Sequence, residues 1–139
     1  MSLVQVGSIY INSANLTGLS DVQKIPPPDG GQASFSFSIY LEGSETGVVS
    51  QDEARAKAMH EKVKSKINPR FLYSSGGVTL SVTAVNSIGA ITSQPTREDP
   101  EGAGFLVQMD GVTVNLQYAT AEKAEAGRQG LIDKINSIS

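Results

Sequence analysis

Cysteine is absent from the 139 residues, which excludes disulfides, thiolate nucleophiles and thiolate metal sites and leaves the redox compartment unencoded. Histidine occurs once, as His60, so a two- or three-histidine metal centre cannot be assembled within one chain. Long apolar runs are also missing, and nothing approaches the ~20 residues of a membrane span. The start, MSLVQVGSIYINS, has no basic segment leading into an apolar stretch. The expectation is therefore a chain not exported by a cleaved signal, either cytoplasmic or part of an assembled particle, with no membrane partner. Charged residues make up only 18%, and the net charge is −3. Without a clustered cationic face there is little to attract a phosphate backbone, so nucleic acid is not an expected partner.

What the chain does contain is alternation. In ASFSFSIYLEG, Phe35, Phe37, Ile39 and Leu41 alternate with Ser34, Ser36, Ser38 and Tyr40, the period of a strand with one buried and one wet face. GVTLSVTAV repeats the pattern, with Val78, Leu80, Val82 and Ala84 opposite Thr79, Ser81 and Thr83. In GFLVQMDGVTVNLQYA the pair Asp110-Gly111 suits a two-residue type I′ turn. That turn pairs Met109 with Val112, Val107 with Val114 and Phe105 with Leu116, and turns Thr113, Asn115 and Gln117 to the other face. A slip by one residue would invert the sorting. VQVGSIYIN reads as a weaker strand, because Gly7 interrupts it and both of its faces are mixed.

Two segments carry helical spacing. In SQDEARAKAMHEKVKSKIN, residues 50–68, Ser50 and Glu53 form an expected capping box, Ala56, Met59, Val63 and Ile67 share one stripe, and Pro69 ends the helix. The second helix opens at Thr120 and places Ala124, Leu131, Ile135 and Ile138 on its stripe. Gly127 and Gly130 each weaken it by up to ~1 kcal/mol relative to Ala, so packing must hold it, with a close approach to the sheet as one means. The two helical segments share a hydroxyl cap, an alanine-rich first half and a closing Lys-Ile-Asn. Short amphipathic helices converge readily on such compositions; a duplicated strand–helix unit is the alternative.

The order of elements predicts one α+β domain over residues 1–139: a two-layer sandwich whose antiparallel sheet of about 4–6 strands carries both helices on one face. Residues 12–32, with three consecutive prolines, and residues 87–104 are expected to be long irregular loops or arms, the places where binding would be sought.

Candidate sites are few. His60 lies about 40° from the axis of its helix's apolar stripe, at the edge of burial, and no serine is placed beside it by any motif, so a structural role is expected for it. It is the one weak catalytic candidate. Glu98, Asp99 and Glu101 lack the alternating spacing of a calcium loop and read as a solvated turn. Neither a metal nor a cofactor is expected. The neutral polar face formed by Ser34, Ser36, Ser38, Tyr40, Thr79, Ser81, Thr83, Thr113, Asn115 and Gln117 is the candidate interaction surface, suited to self-association or another protein partner without charge. These features favour a non-enzymatic structural subunit of a homo-oligomeric assembly, such as a virion or tail-like particle component. The other reading is a small-ligand-binding protein or small enzyme, with a pocket between His60 and the 87–104 loop that uses the acids of residues 98–101.

Overall fold

The computed structural model describes residues 3–27 and 29–138. The chain opens with a hairpin, β1 (Leu3–Val6) and β2 (Ile9–Asn12), turned by Gly7 at φ +61°. A 3-10 turn at Ser13–Asn15 leads into β3 (Leu16–Ser20) and the short β4 (Gln23–Ile25). Then follow β5 (Ser34–Leu41), β6 (Ser44–Ser50) and helix α1 (Glu53–Lys64). Strand β5 pairs with β6 along one edge and with β3 and then β4 along the other.

The same series then recurs. A hairpin of β7 (Leu72–Ser75) and β8 (Val78–Ser81) is followed by a 3-10 turn at Val82–Ala84, β9 (Val85–Ile88), β10 (Thr92–Ser93), β11 (Ala103–Met109), β12 (Val112–Tyr118) and α2 (Ala121–Ile138). Strand β11 has β12 on one edge and β9 and β10 on the other, as β5 does in the first half. Even the irregularity recurs: the β3–β5 register shifts between Leu16 and Gly18, and the β9–β11 register shifts between the partners of Met109 and Gln108. The chain is thus a tandem structural repeat in which Phe37, Ile39, Ala56, Val63 and Ile67 correspond to Phe105, Val107, Ala124, Leu131 and Ile135. The connection before the fifth strand is one residue shorter in the second half. The likeness of the two helical segments is therefore part of a structural repeat that spans both halves. It escaped the sequence because the repeat conserves burial and register more than residue type.

The α+β class and the antiparallel pairing hold, with twelve strands in sheets of six, four and two among the described residues. Helix α1 packs on β1, β3, β5 and β6, and α2 on β7, β11, β12 and the Val82–Ala84 turn. Each helix thus closes its own half, and two apolar clusters form, one around Leu19, Phe37, Ile39 and Val63, the other around Leu80, Phe105, Leu116 and Leu131. The segments 12–32 and 87–104 are not free arms: they contribute β3 and β4 in one half, and β10 with the ends of β9 and β11 in the other. Thr and Ser disguised β3, since a strand that turns polar side chains into backbone bonds lacks clean alternation; the buried Thr17 Oγ1 donates to the Tyr40 carbonyl at 3.0 Å.

Local chemistry explains the boundaries. The 110–111 hairpin has the expected register, with Met109 opposite Val112, Val107 opposite Val114 and Phe105 opposite Leu116. Only Gly111 takes positive φ, however, at +80°, so the φ signs are those of a type II turn and not of type I′. The N-cap of α1 is Asp52, whose Oδ1 accepts from Ala54 N at 2.9 Å, while Ser50 Oγ accepts from Asp52 N at 3.1 Å and so sits outside the helix. A carboxylate nearer the exposed amides displaces the hydroxyl. The helix ends at Lys64, before Pro69, because the chain tightens into bonds from Lys66 N to Val63 O and Ile67 N to Lys64 O. In α2 the glycines admit aromatic rings: Tyr73 Oη donates to Gly127 O at 2.6 Å, and a Cβ at Gly130 would lie 2.6 Å from that same hydroxyl.

The halves are joined by strand pairing. Hairpin β7–β8, which covers the core of the second half with Val78 and Leu80, lays β8 antiparallel against β3 of the first half. Gly18 faces Leu80, Leu19 faces Thr79 and Ser20 faces Val78, and Asp21 N donates to Gly77 O at 2.9 Å. Leu72 on the opposite face of the hairpin packs against the first half's core. The second hairpin is covered on both faces as a result.

Candidate functional site

The polar residues expected to form one surface are divided between two sheets. Ser34, Ser36, Ser38 and Tyr40 lie on β5, and Thr79 and Ser81 on β8, all in the six-stranded sheet; Thr113, Asn115 and Gln117 lie on β12 in the four-stranded sheet, and Thr83 sits in a 3-10 turn. Two of them face inward, Tyr40 at 7% and Thr79 at 2% exposure. Burial pushes the Tyr40 phenol above its ordinary range, and Glu45 adds to the effect. Thr79 Oγ1 is satisfied by Ser74 Oγ at 2.8 Å. Gln94, from the 87–104 segment, engages the β12 face: its side chain and that of Asn115 exchange hydrogen bonds of 3.0 and 2.8 Å, and Gln117 Nε2 donates to its carbonyl at 2.9 Å. Alternation shows which residues of a strand share a face; it says nothing about which strands are neighbours.

His60 stands edge-on to Phe37, with ring centroids 5.3 Å apart at 80°. Its Nε2 is buried without a hydrogen-bond partner among the described residues. A catalytic imidazole needs an orienting acceptor and a reacting group, and neither is present at that nitrogen. An unsatisfied buried nitrogen costs about 1–3 kcal/mol, whereas an apolar side chain of similar size loses nothing there. His60→Leu is therefore expected to leave the unfolding free energy unchanged or raise it by about 1 kcal/mol in urea titrations. A loss of that size instead would show that the imidazole has a polar partner.

The acids of residues 98–101 form a hydrogen-bonded turn, with Thr96 N and Gly102 N both donating to Asp99 O at 2.9 Å. Two open clefts mark the surface. One, of about 510 Å³, lies between the Gly7-Ser8 turn, Val49 and Ser50 of β6, and Asp52 and Arg55 at the start of α1. The other, of about 460 Å³, is lined by Ala90, Ile91, Glu125, Arg128 and Gln129. Neither is lined by His60, and neither brings it together with the acids of the 87–104 segment.

The distinctive surface is at the ends of the repeat. Hairpin β1–β2 forms a sheet of its own, so β2 has β1 as its sole strand neighbour among the described residues. Val4, Val6 and Ile11 turn to the core, while Leu3 and Tyr10, on the outward face, are 70% and 62% exposed. At the far end β9 has β11 as its sole strand neighbour among the described residues, with Ile88 half-buried and Asn86 and Ser87 exposed. The sequence carried one trace of this: the mixed faces of VQVGSIYIN, where apolar residues stand on both sides, Val4, Val6 and Ile11 toward the core and Tyr10 outward.

Fold and pairing together define an α+β tandem-repeat protein in which, among the described residues, β3 has a strand neighbour on each edge and its counterpart β9 has one. No family model, curated protein or solved structure matches the chain. Among the described residues no helix is long and apolar enough to cross a membrane.

Proposed function

We propose that this protein is a non-enzymatic structural subunit of a homomeric assembly, of the kind that builds a virion or tail-like particle. The observation that supports this is the contrast between β3, which has a strand neighbour on each edge, and its counterpart β9, which has one among the described residues, together with the exposed Leu3 and Tyr10 of the β1–β2 hairpin. Open edges present unpaired backbone donors and acceptors, and a protein that keeps them beside exposed apolar side chains has a use for them in association. A weakly charged surface suits contacts made through backbone and apolar groups, since little charge must be desolvated. Light scattering after size exclusion tests the reading. At high micromolar concentration the mass is expected to exceed that of one chain and to fall on dilution; a monodisperse monomer throughout overturns it.

A further inference from the structure

The two halves are made alike, yet one of their joints is made and the other is not. Within the chain, hairpin β7–β8 of the second half docks on the β3 edge of the first. The structural counterpart of β3 is β9, and the counterpart of β7–β8 is β1–β2. Both are open, and they do not pair with each other inside one chain, because β1–β2 stands as a separate sheet. From this we infer that the β9 edge of one chain receives the β1–β2 hairpin of a second copy, head to tail, in the register already used by β3 and β8. This rests on the assembly reading and names its partner and its contact.

The register follows residue by residue. Gly18 opposite Leu80, Leu19 opposite Thr79 and Ser20 opposite Val78 become Ser87 opposite Ile11, Ile88 opposite Tyr10 and Gly89 opposite Ile9. The bond from Asp21 N to Gly77 O becomes one from Ala90 N to the Ser8 carbonyl of the next copy. The open cleft beside Ala90 and Ile91 flanks the place where that hairpin turn arrives.

Burial differs between the halves as this joint requires. Thr79 is 2% exposed where β3 covers it, and its counterpart Tyr10 is 62% exposed. Leu72 packs on the first core, whereas its counterpart Leu3 is 70% exposed. Leu19 and Ile67, at 0% and 5%, are matched by the half-buried Ile88 and Ile135. Docking would cover all four of the less buried residues at once. A contact between two different surfaces of identical chains is heterologous, so it closes into a ring or continues as a filament according to the rotation between copies.

Two of the differences between the edges bear on the fit. Ser87 stands where β3 has Gly18, and a Cβ at Gly18 would lie 2.7 Å from Thr79 O, so the docked hairpin sits farther out there than its internal counterpart. Gln108 stands where β5 has the buried Tyr40. Both changes make the joint between copies looser than the joint within a copy, which keeps the single chain separable from its assembly. Ser87→Gly is expected to lower the association midpoint several-fold.

Disulfide trapping tests the contact, since the chain has no cysteine of its own. Tyr10→Cys and Ile88→Cys are made as separate variants. On oxidation, the mixture is expected to yield covalent dimers and each variant alone to stay monomeric; the double variant is expected to yield a ladder or one closed species. Association of the wild-type chain without disulfides in the mixture, or disulfides only within a single variant, overturns the head-to-tail contact while leaving the assembly reading intact. Monomer with no disulfide under every condition overturns both.

Discussion

Phe105→Ala is expected to lower the unfolding free energy by about 3–5 kcal/mol, a large part of the ~5–15 kcal/mol that holds an ordinary domain together. Phe105 is wholly buried on β11, opposite Leu116, with the Tyr118 ring stacked at 6.0 Å and 13°. The surroundings have little room to collapse into the space left behind. Tyr118 is held by the hydrogen bond between its hydroxyl and Ser75 Oγ at 2.7 Å, and burial pushes its phenol above the ordinary range in spite of that bond. Cavity cost therefore adds to lost transfer energy. Urea titration should show the midpoint falling with an unchanged slope. A loss under about 1 kcal/mol would mean that the second half does not close around this ring.

Gly18→Ala sets two effects of opposite sign against each other. Replacing glycine normally stabilises by about 0.4–1 kcal/mol, through a less free unfolded chain. Here the added methyl would lie 2.7 Å from Thr79 O and 3.0 Å from Leu80 Cδ2, and the first of these is backbone within the β3–β8 ladder. A strand carbonyl cannot turn aside without giving up its hydrogen bonds, so overpacking at about 1–3 kcal/mol wins. The expected result is net destabilisation, with faster amide exchange at Thr79 and Asp21, where the two halves meet. Gly47→Ala is the control, because a Cβ there meets nothing within 4 Å and should be neutral or mildly stabilising. Equal behaviour of the two variants would dissolve the argument for a close-packed joint, and with it the reason given for Ser87 loosening the outer one.

Local features were legible in the sequence wherever the information was local. Alternation located β5, β8, β11 and β12, the Asp110-Gly111 pair set a register that the structure reproduces, and helical spacing found Ala56, Val63, Ala124 and Leu131, all buried. The glycines of α2 were readable as points of close approach, and Tyr118 fills the place at Gly127 and Tyr73 the place at Gly130. Strands β3, β4, β6, β7, β9 and β10 were not legible. The residues of β3 and β9 alternate poorly because each contains a register shift and makes backbone contacts on which side-chain pattern has no bearing. His60 was placed at the margin of its helix's apolar stripe by geometry alone, and only the fold revealed Phe37 as its neighbour.

By itself the sequence determined the class of the fold, the register of the 110–111 hairpin and the inward faces of both helices, since period and turn chemistry act over a few residues. Only the tertiary structure decided that these elements form two matching halves, that β8 rather than β2 completes the sheet of β3, and that Leu3 and Tyr10 remain exposed and Ile88 half-buried. Strand partnership is a contact between distant parts of the chain, made by backbone groups that every residue type possesses, so residue identity carries almost no record of it.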